Sequence, residues 1–321
     1  MSQGPEIGDV IESRYRLDGV LGRGGHAIVF EAESLRTGQK VAIKFIRPAS
    51  ADQDQSQRLF KRFEREIELV ARLQHPHVVR LLDRGSLGGG SQYAVFEHLA
   101  GRDLRAVLVE DGACPLDEAA RLMYQVAAGA DAAHKLGIIH RDLKPANIMI
   151  CQQGTRSHAV VLDFGIASLM RWARPADYQA ITTSDSLVGS LPYTSPERIA
   201  GREVTAQSDI YSWGLIFLEA ITGSAVITGR TPLDIANAHM DASPIQLPRD
   251  VVSIKPLAAV LRRATAKKSA DRFESMVQVM EALEPVLASA PSKRLTVAKP
   301  SAVKGASGVR APWWRRLGSP K

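Results

Sequence analysis

Ile138-Ile139-His140-Arg141-Asp142-Leu143-Lys144-Pro145-Ala146-Asn147 carries more chemical information than any other ten residues of this 321-residue chain. An apolar pair leads into an imidazole, two cations, a carboxylate and a carboxamide, an assembly that chance does not readily produce. Upstream, Val41-Ala42-Ile43-Lys44 is an apolar strand ending in a lysine. It stands about twenty residues after Leu21-Gly22-Arg23-Gly24-Gly25-His26-Ala27-Ile28-Val29, where glycines allow close backbone approach and N–H donation to phosphate groups. That loop leads into a strand and not a helix, which separates it from a dinucleotide-binding turn. By itself it would equally suit a glycine-rich hairpin. Downstream, Val160-Val161-Leu162-Asp163-Phe164-Gly165 is an apolar strand that ends on a carboxylate.

Composition bounds the remaining choices. The chain is 45% hydrophobic and 23% charged, which suits a globular protein with a sizeable core. Its two cysteines, Cys114 and Cys151, form no paired motif, so a reducing, cytoplasmic setting is expected. The first residues carry neither a basic cluster nor an apolar run, so no secretory signal is expected. The apolar stretch Ile210 to Ile221 is too short to span a membrane and includes Glu219, so it is expected to be a buried core helix. Net charge is +7, but eight basic side chains and no acidic ones lie in 291–321, leaving 33 basic against 34 acidic residues in 1–290. Basicity confined to an Ala-, Pro-, Ser-, Gly- and Lys-rich tail argues against a nucleic-acid partner.

Periodicity places strands first and helices later. Arg14–Leu21, Ala27–Glu33, Lys40–Arg47, Val78–Asp83 and Gln92–His98 read as strands separated by turns. Between Gln57 and Leu73 the residues Phe60, Phe63, Ile67 and Val70 form a helical stripe. Helices are expected at Leu116–Leu136, Ser208–Ile221, Ile254–Ala266 and Ser275–Ala288. The order predicts an α+β protein of two lobes, one small and β-rich with a single helix, the other larger and helical.

Together these constellations resemble the protein kinase family, specifically the eukaryotic-like serine/threonine kinases of bacteria. The catalytic loop of that family is H-R-D-L-x-x-x-N, and 140–147 matches it. The resemblance runs from Tyr15 to Leu287 and implies a kinase domain over 14–287, divided into lobes 14–97 and 98–287. Residues 1–13 would form an extension and 288–321 a basic flexible tail. It implies that Asp142 accepts the proton of the acceptor hydroxyl and that Lys144 contacts the transferred phosphate. Asn147 and Asp163 would bind magnesium, with manganese as a substitute. ATP would be held by Leu21 through Val29, by Ala42, by Lys44 on the α- and β-phosphates, and by Glu97 and Leu99 through their backbones, with Phe96 closing the pocket. Lys44 needs a carboxylate. Glu64 and Glu66 are both available, and Glu66 is preferred because it lies on the inward stripe. Glu197 in Ser195-Pro196-Glu197 would be paired by Arg272, and Asp209 would brace the catalytic loop, all three being architectural. Two positions depart from the pattern: Ala27 replaces a third glycine, and Ala146 a frequent glutamate.

Lys144-Pro145 and the Gly189-Ser190 step resemble serine/threonine-specific members that act on proteins, with Ser190 in the acceptor region. The hydroxyl-rich stretch Thr182, Thr183, Ser184 and Ser186 would carry autophosphorylation, gripped by Arg141, which precedes the catalytic aspartate. Expected partners are protein substrates and a cognate phosphatase in signalling. A weak contact of the basic tail with a membrane surface is also expected, through Trp313 and Trp314 beside Arg315 and Arg316. If the natural chain continued into a membrane helix, that cluster would mark its cytoplasmic side. The rival is a pseudokinase scaffold, whose signature would be loss of Lys44, Asp142 or Asp163, and all three are present.

Overall fold

The computed structural model describes residues 5–23, 27–46, 67–87, 91–154, 156–164, 189–289 and 294–295. Its first part is an antiparallel sheet ordered β1-β2-β3-β4-β6-β5. The strands are β1 (Val10–Ile11), β2 (Tyr15–Arg23), β3 (Ala27–Ser34), β4 (Lys40–Ile46), β5 (Leu81–Ser86) and β6 (Gln92–Glu97). Period-two alternation sends Leu17, Phe30, Val41, Ile43, Phe45, Tyr93 and Val95 to one buried cluster. Phe30 and Phe45 meet edge to face with ring centroids 5.6 Å apart. Strand β1 falls within the stretch expected to precede the domain; Ile11 is buried in the same cluster, and Glu12 accepts from the Tyr93 hydroxyl at 2.6 Å.

The strand expected at Val78–Asp83 begins later, at Leu81. Val78 instead bridges Val161 in parallel, Val79 N–H donates to Val161 O at 3.0 Å, and Val161 N–H donates to His77 O at 2.9 Å. The apolar run was visible in sequence, but its partner lies in the other lobe. Just before it, residues 67–72 are helical (α1), with Ile67 and Val70 buried as their spacing requires. Phe60, Phe63, Glu64 and Glu66 lie outside the described residues.

The second part is helical, with a small sheet of β7 (Gly101–Asp103), β8 (Ile148–Gln153) and β9 (Arg156–Val161). Its helices are α2 (Leu104–Glu110), α3 (Leu116–Lys135), α4 (Pro196–Ile199), α5 (Ala206–Thr222), α6 (Pro232–Met240), α7 (Arg249–Ser253), α8 (Lys255–Ala264) and α9 (Met276–Ser289). Every residue of α5 from Ser208 to Ile221 is buried, so it forms the axis of this lobe and not a surface helix. Its Trp213 indole donates to Met123 O on α3 at 2.8 Å. Gly214 lets α8 approach, since a Cβ there would sit 2.8 Å from Thr265 Cγ2. Thr205 and Ser208 form a capping box at the start of α5, and Gly223 ends it at φ 74°. No helix among the described residues is long and apolar enough to cross a membrane.

Between the lobes lies a third apolar cluster. Ile67, Val79, Ala94, Phe96 and Val160 are buried there, and Ala42, Leu81, Leu99, Met149 and Leu162 pack against them half-buried.

Candidate active site

Register fixes the upper wall. In the middle of the sheet Lys44 stands opposite Val29 on β3 and Ala94 on β6. Gly22 pairs with Val29 and Arg23 with Ile28, so the strands leading into and out of the glycine-rich turn lie beside Lys44. Gly24, Gly25 and His26 themselves lie outside the described residues. Lys44 is buried, and its Nζ lies 2.8 Å from Asp163 Oδ1. Burial alone would push the Asp163 carboxyl up. The Lys44 ammonium, aided by His140 and Lys144, outweighs that and holds it below the usual carboxylate range. About 36% of the Asp163 side chain remains exposed.

The lower wall is built by the β8–β9 hairpin and the segment before it. Ile148 pairs with Val161, and Leu162 N–H donates to Asn147 O at 2.8 Å, which brings Asn147 beside the end of β9 that carries Asp163. Asn147 Nδ2 donates to Asp142 O at 2.8 Å. The ammonium of Lys144 donates to Asp142 Oδ2 at 2.8 Å and to the Ser190 hydroxyl at 2.7 Å. One cation therefore ties the carboxylate of the 140–147 segment to the segment that follows residue 188.

Asp209 supports this arrangement from inside α5. Its carboxylate accepts the backbone N–H groups of His140 and Arg141, at 2.8 and 2.9 Å, and lies 2.8 Å from His134 Nε2. Desolvation pushes its pKa up, but the His134 bond and charge together with His140 outweigh this and hold it below the usual carboxylate range. Asp209 thereby holds Arg141 at φ 66°, in the left-handed region that side chains disfavour. His140 in turn places Nε2 2.9 Å from Leu162 O and its ring 4.7 Å from that of the buried Phe164.

Glu197 and Arg272 form a buried fork, with Nη1 to Oε1 at 2.8 Å and Nη2 to Oε2 at 2.9 Å, and Ser208 donates to the same carboxylate. Arg272 also donates to the carbonyls of Ala266, Gln207 and Lys267, at 2.7, 2.9 and 3.1 Å. At the end of β6 the N–H of Glu97 donates to Arg80 O at 3.0 Å, and Ala42, Leu99 and Met149 pack against the buried cluster that includes Phe96.

The sequence did not single out Arg198, Met149 or His134. Arg198 Nη1 lies 3.9 Å from Asp142 Oδ1, a proximity created by α4 folding back from far along the chain. Met149 had a signal, an apolar position two residues after Asn147 on a strand, and His134 had none. Thr182, Thr183, Ser184 and Ser186 lie outside the described residues, as does Glu66, so the expected partner of Lys44 is not among them.

The family described as protein kinase domain matches residues 15–304. The chain is 35% identical over 301 residues to a probable serine/threonine-protein kinase of Corynebacterium efficiens, covering 91% of this chain and 44% of that protein. It is 34% identical over 284 residues to the serine/threonine-protein kinase PknB of Mycobacterium leprae, covering 87% and 43%. The chain thus spans less than half the length of these relatives. Among solved structures, a double-mutant form of the PknI kinase domain of Mycobacterium tuberculosis superposes with a TM-score of 0.65 at 26% identity, over 88% of this chain and 99% of that one.

Proposed function

The chain belongs to the protein kinase family, and on that premise we propose that it transfers the γ-phosphoryl group of ATP to serine and threonine hydroxyls of proteins. The observation that carries this reading is the Lys144 ammonium held between the Asp142 carboxylate and the Ser190 hydroxyl. A hydroxyl entering beside Asp142 meets a base for its proton and a cation for the charge that develops on the incoming phosphoryl group.

Oxygen donors suited to a hard divalent cation are present in Asp163 and Asn147. No group of three or more His, Cys, Asp or Glu among the described residues could hold a metal alone. That favours magnesium shared with nucleotide phosphates over a cation caged by protein. Manganese would fit the same oxygens. Magnesium, when bound with the nucleotide, supplies positive charge over the β- and γ-phosphates. Lys44 is already a buried cation at the cleft and would meet the α- and β-phosphates, with Glu66 as the carboxylate that holds it. The half-buried apolar residues Ala42, Leu99 and Met149, packed on the cluster that includes Phe96, suit the faces of a purine. With its N–H engaged by Arg80, Glu97 would offer the base its carbonyl, and Leu99 would offer its N–H. The turn from Leu21 to Val29 would cover the phosphates.

In the transfer, Asp142 takes the hydroxyl proton, the hydroxyl oxygen forms a bond to the γ-phosphorus, and the bond to the β–γ bridging oxygen breaks, leaving ADP. Autophosphorylation of Thr182, Thr183, Ser184 or Ser186, a signalling role and reversal by a cognate phosphatase belong to the same proposal. A pseudokinase scaffold is disfavoured because Lys44, Asp142 and Asp163 are retained together. Incubating the chain with labelled ATP, magnesium and a protein acceptor, then mapping phosphosites by mass spectrometry, tests it. Label on serine or threonine is expected, and its absence from both proteins would overturn the reading.

A further inference from the structure

His239 is a buried titratable group that this chemistry leaves unused. It lies in the last turn of α6 with no exposed surface. Its Nε2 is 2.9 Å from Leu191 O, and its Nδ1 is 2.9 Å from the Tyr211 hydroxyl. A carbonyl can only accept, so Nε2 carries the proton. A neutral imidazole has one N–H, so Nδ1 must accept from the Tyr211 O–H. The two partners therefore select one tautomer and one ring orientation. Burial foremost, with the Lys267 charge nearby, pushes the ring's pKa down to about 4, which keeps it neutral at physiological pH.

Both ends of this link are anchored. Tyr211 belongs to the buried helix α5 and has the Arg272 guanidinium 4.7 Å from its ring centre. Lys267 Nζ donates to the carbonyls of Ala238 and His239, at 2.8 and 3.1 Å, closing the end of α6. Leu191 opens a tight turn, Leu191–Tyr193, directly after Ser190. The far side of that turn is held by Ser212 Oγ, which donates to Tyr193 O at 2.7 Å, and by the Tyr193 hydroxyl on Glu219 at 2.6 Å. His239 holds the near side, next to the hydroxyl that Lys144 links to Asp142.

We propose that His239 is a positioning residue for the protein acceptor: by fixing the Leu191 carbonyl it keeps Ser190 where Lys144 can bridge it to Asp142. The proposal rests on the kinase reading and deepens it. Lys44 and Asp163, on the nucleotide side, make no contact with this link, so its loss should be felt by the acceptor and not by ATP. A displacement of about 1 Å at a reacting centre can cost up to about a hundredfold in rate.

The experiment compares wild type, His239→Leu, His239→Gln and Tyr211→Phe in the full chain, with dephosphorylated casein as acceptor. His239→Leu should raise the KM for casein about tenfold or more and leave the KM for ATP and intrinsic ATP hydrolysis within about twofold. It should also speed hydrogen exchange at the amides of Tyr193 and Thr194, which bond to Ser190 O and Leu191 O. His239→Gln should restore most of both, because a carboxamide can donate to Leu191 O and accept from Tyr211. Equal rises in the two KM values, unchanged exchange, or a Gln variant no better than Leu would each overturn the proposal. Should His239→Leu fail to fold, Tyr211→Phe decides: faster exchange at Tyr193 and Thr194 supports the link, and wild-type exchange refutes it. The exchange readout stands even if wild type labels neither casein nor itself, a result that would sink the kinase reading and leave the tether to be judged separately.

Discussion

Arg141 and Asp163 sit at φ 66° and 61°, where a side chain costs roughly 1–2 kcal/mol. Each is held there by an opposite charge or an acceptor, Arg141 by Asp209 and Asp163 by Lys44. Asp209→Ala would leave two buried N–H groups and His134 without their acceptor, and should cost on the order of 3–5 kcal/mol in denaturant unfolding, with Asp209→Asn milder. Asp142→Asn should slow transfer about 10²–10⁴-fold while nucleotide affinity, measured by calorimetry, stays near wild type. His239 adds a pH dependence. Its folded pKa of about 4 lies below the ordinary 6.5, so the unfolded chain binds the proton more readily. Its contribution is therefore complete above pH 6.5 and lost as pH falls toward 4, by at most about 3 kcal/mol. His239→Gln should flatten the stability curve in that window, and an unchanged slope would assign the loss to other groups. Asp142, Lys144, Asn147 and Asp163 could be singled out as candidates because their chemistry is written in contiguous runs. His239 and Arg198 were not, because a lone histidine or arginine acquires meaning only from partners tens of residues away, 48 in the case of His239 and Leu191.

At the scale of elements, the Glu197–Arg272 fork joins α4 to the segment before α9. Burial raises the Glu197 carboxyl, and Arg272 together with Ser208 more than offsets this, so the group stays ionised to lower pH than usual. The stability it contributes is present above the ordinary carboxylate range and lost as pH falls through its lowered value. Arg272→Met would leave that charge buried and unpaired, and should cost on the order of 3–5 kcal/mol, read by thermal unfolding at neutral pH. Glu197→Gln with Arg272→Met should recover part of the loss, a coupling absent if the two act independently. Periodicity recovered the long helices well: α3 was expected at Leu116–Leu136 and spans Leu116–Lys135, and α5 was expected at Ser208–Ile221 and spans Ala206–Thr222. Short elements escaped. Strand β1 has two residues, and α6 exposes Leu233 and Met240, so neither carries a pattern long enough to read.

At the scale of the whole molecule, control of the enzyme is expected to pass through the stretch 182–186. Phosphate there would give Arg141 an anion through charge-assisted hydrogen bonds. Phosphatase treatment should lower activity toward a protein acceptor, replacing Thr182, Thr183, Ser184 and Ser186 with Ala should reproduce the loss, and Arg141→Ala should remove the response to phosphatase. A four-Ala variant as fast as wild type would mean a constitutively active enzyme. The two-lobed layout was legible from the order of strands and helices, but the seam was not, because Val78 and Val79 pair with Val161 across it. That seam has a mechanical consequence. Residues 77–79 are a fulcrum bolted to the large lobe, and α1 is the lever arm that leads into it. Beneath the bolt runs α3, where a Cβ on Gly129 would come within 2.6 Å of His77 O. A single methyl group at that position would be a shim under the fulcrum: without adding charge or touching a substrate, it would tilt α1 against the carboxylate of Asp163 beyond Val161.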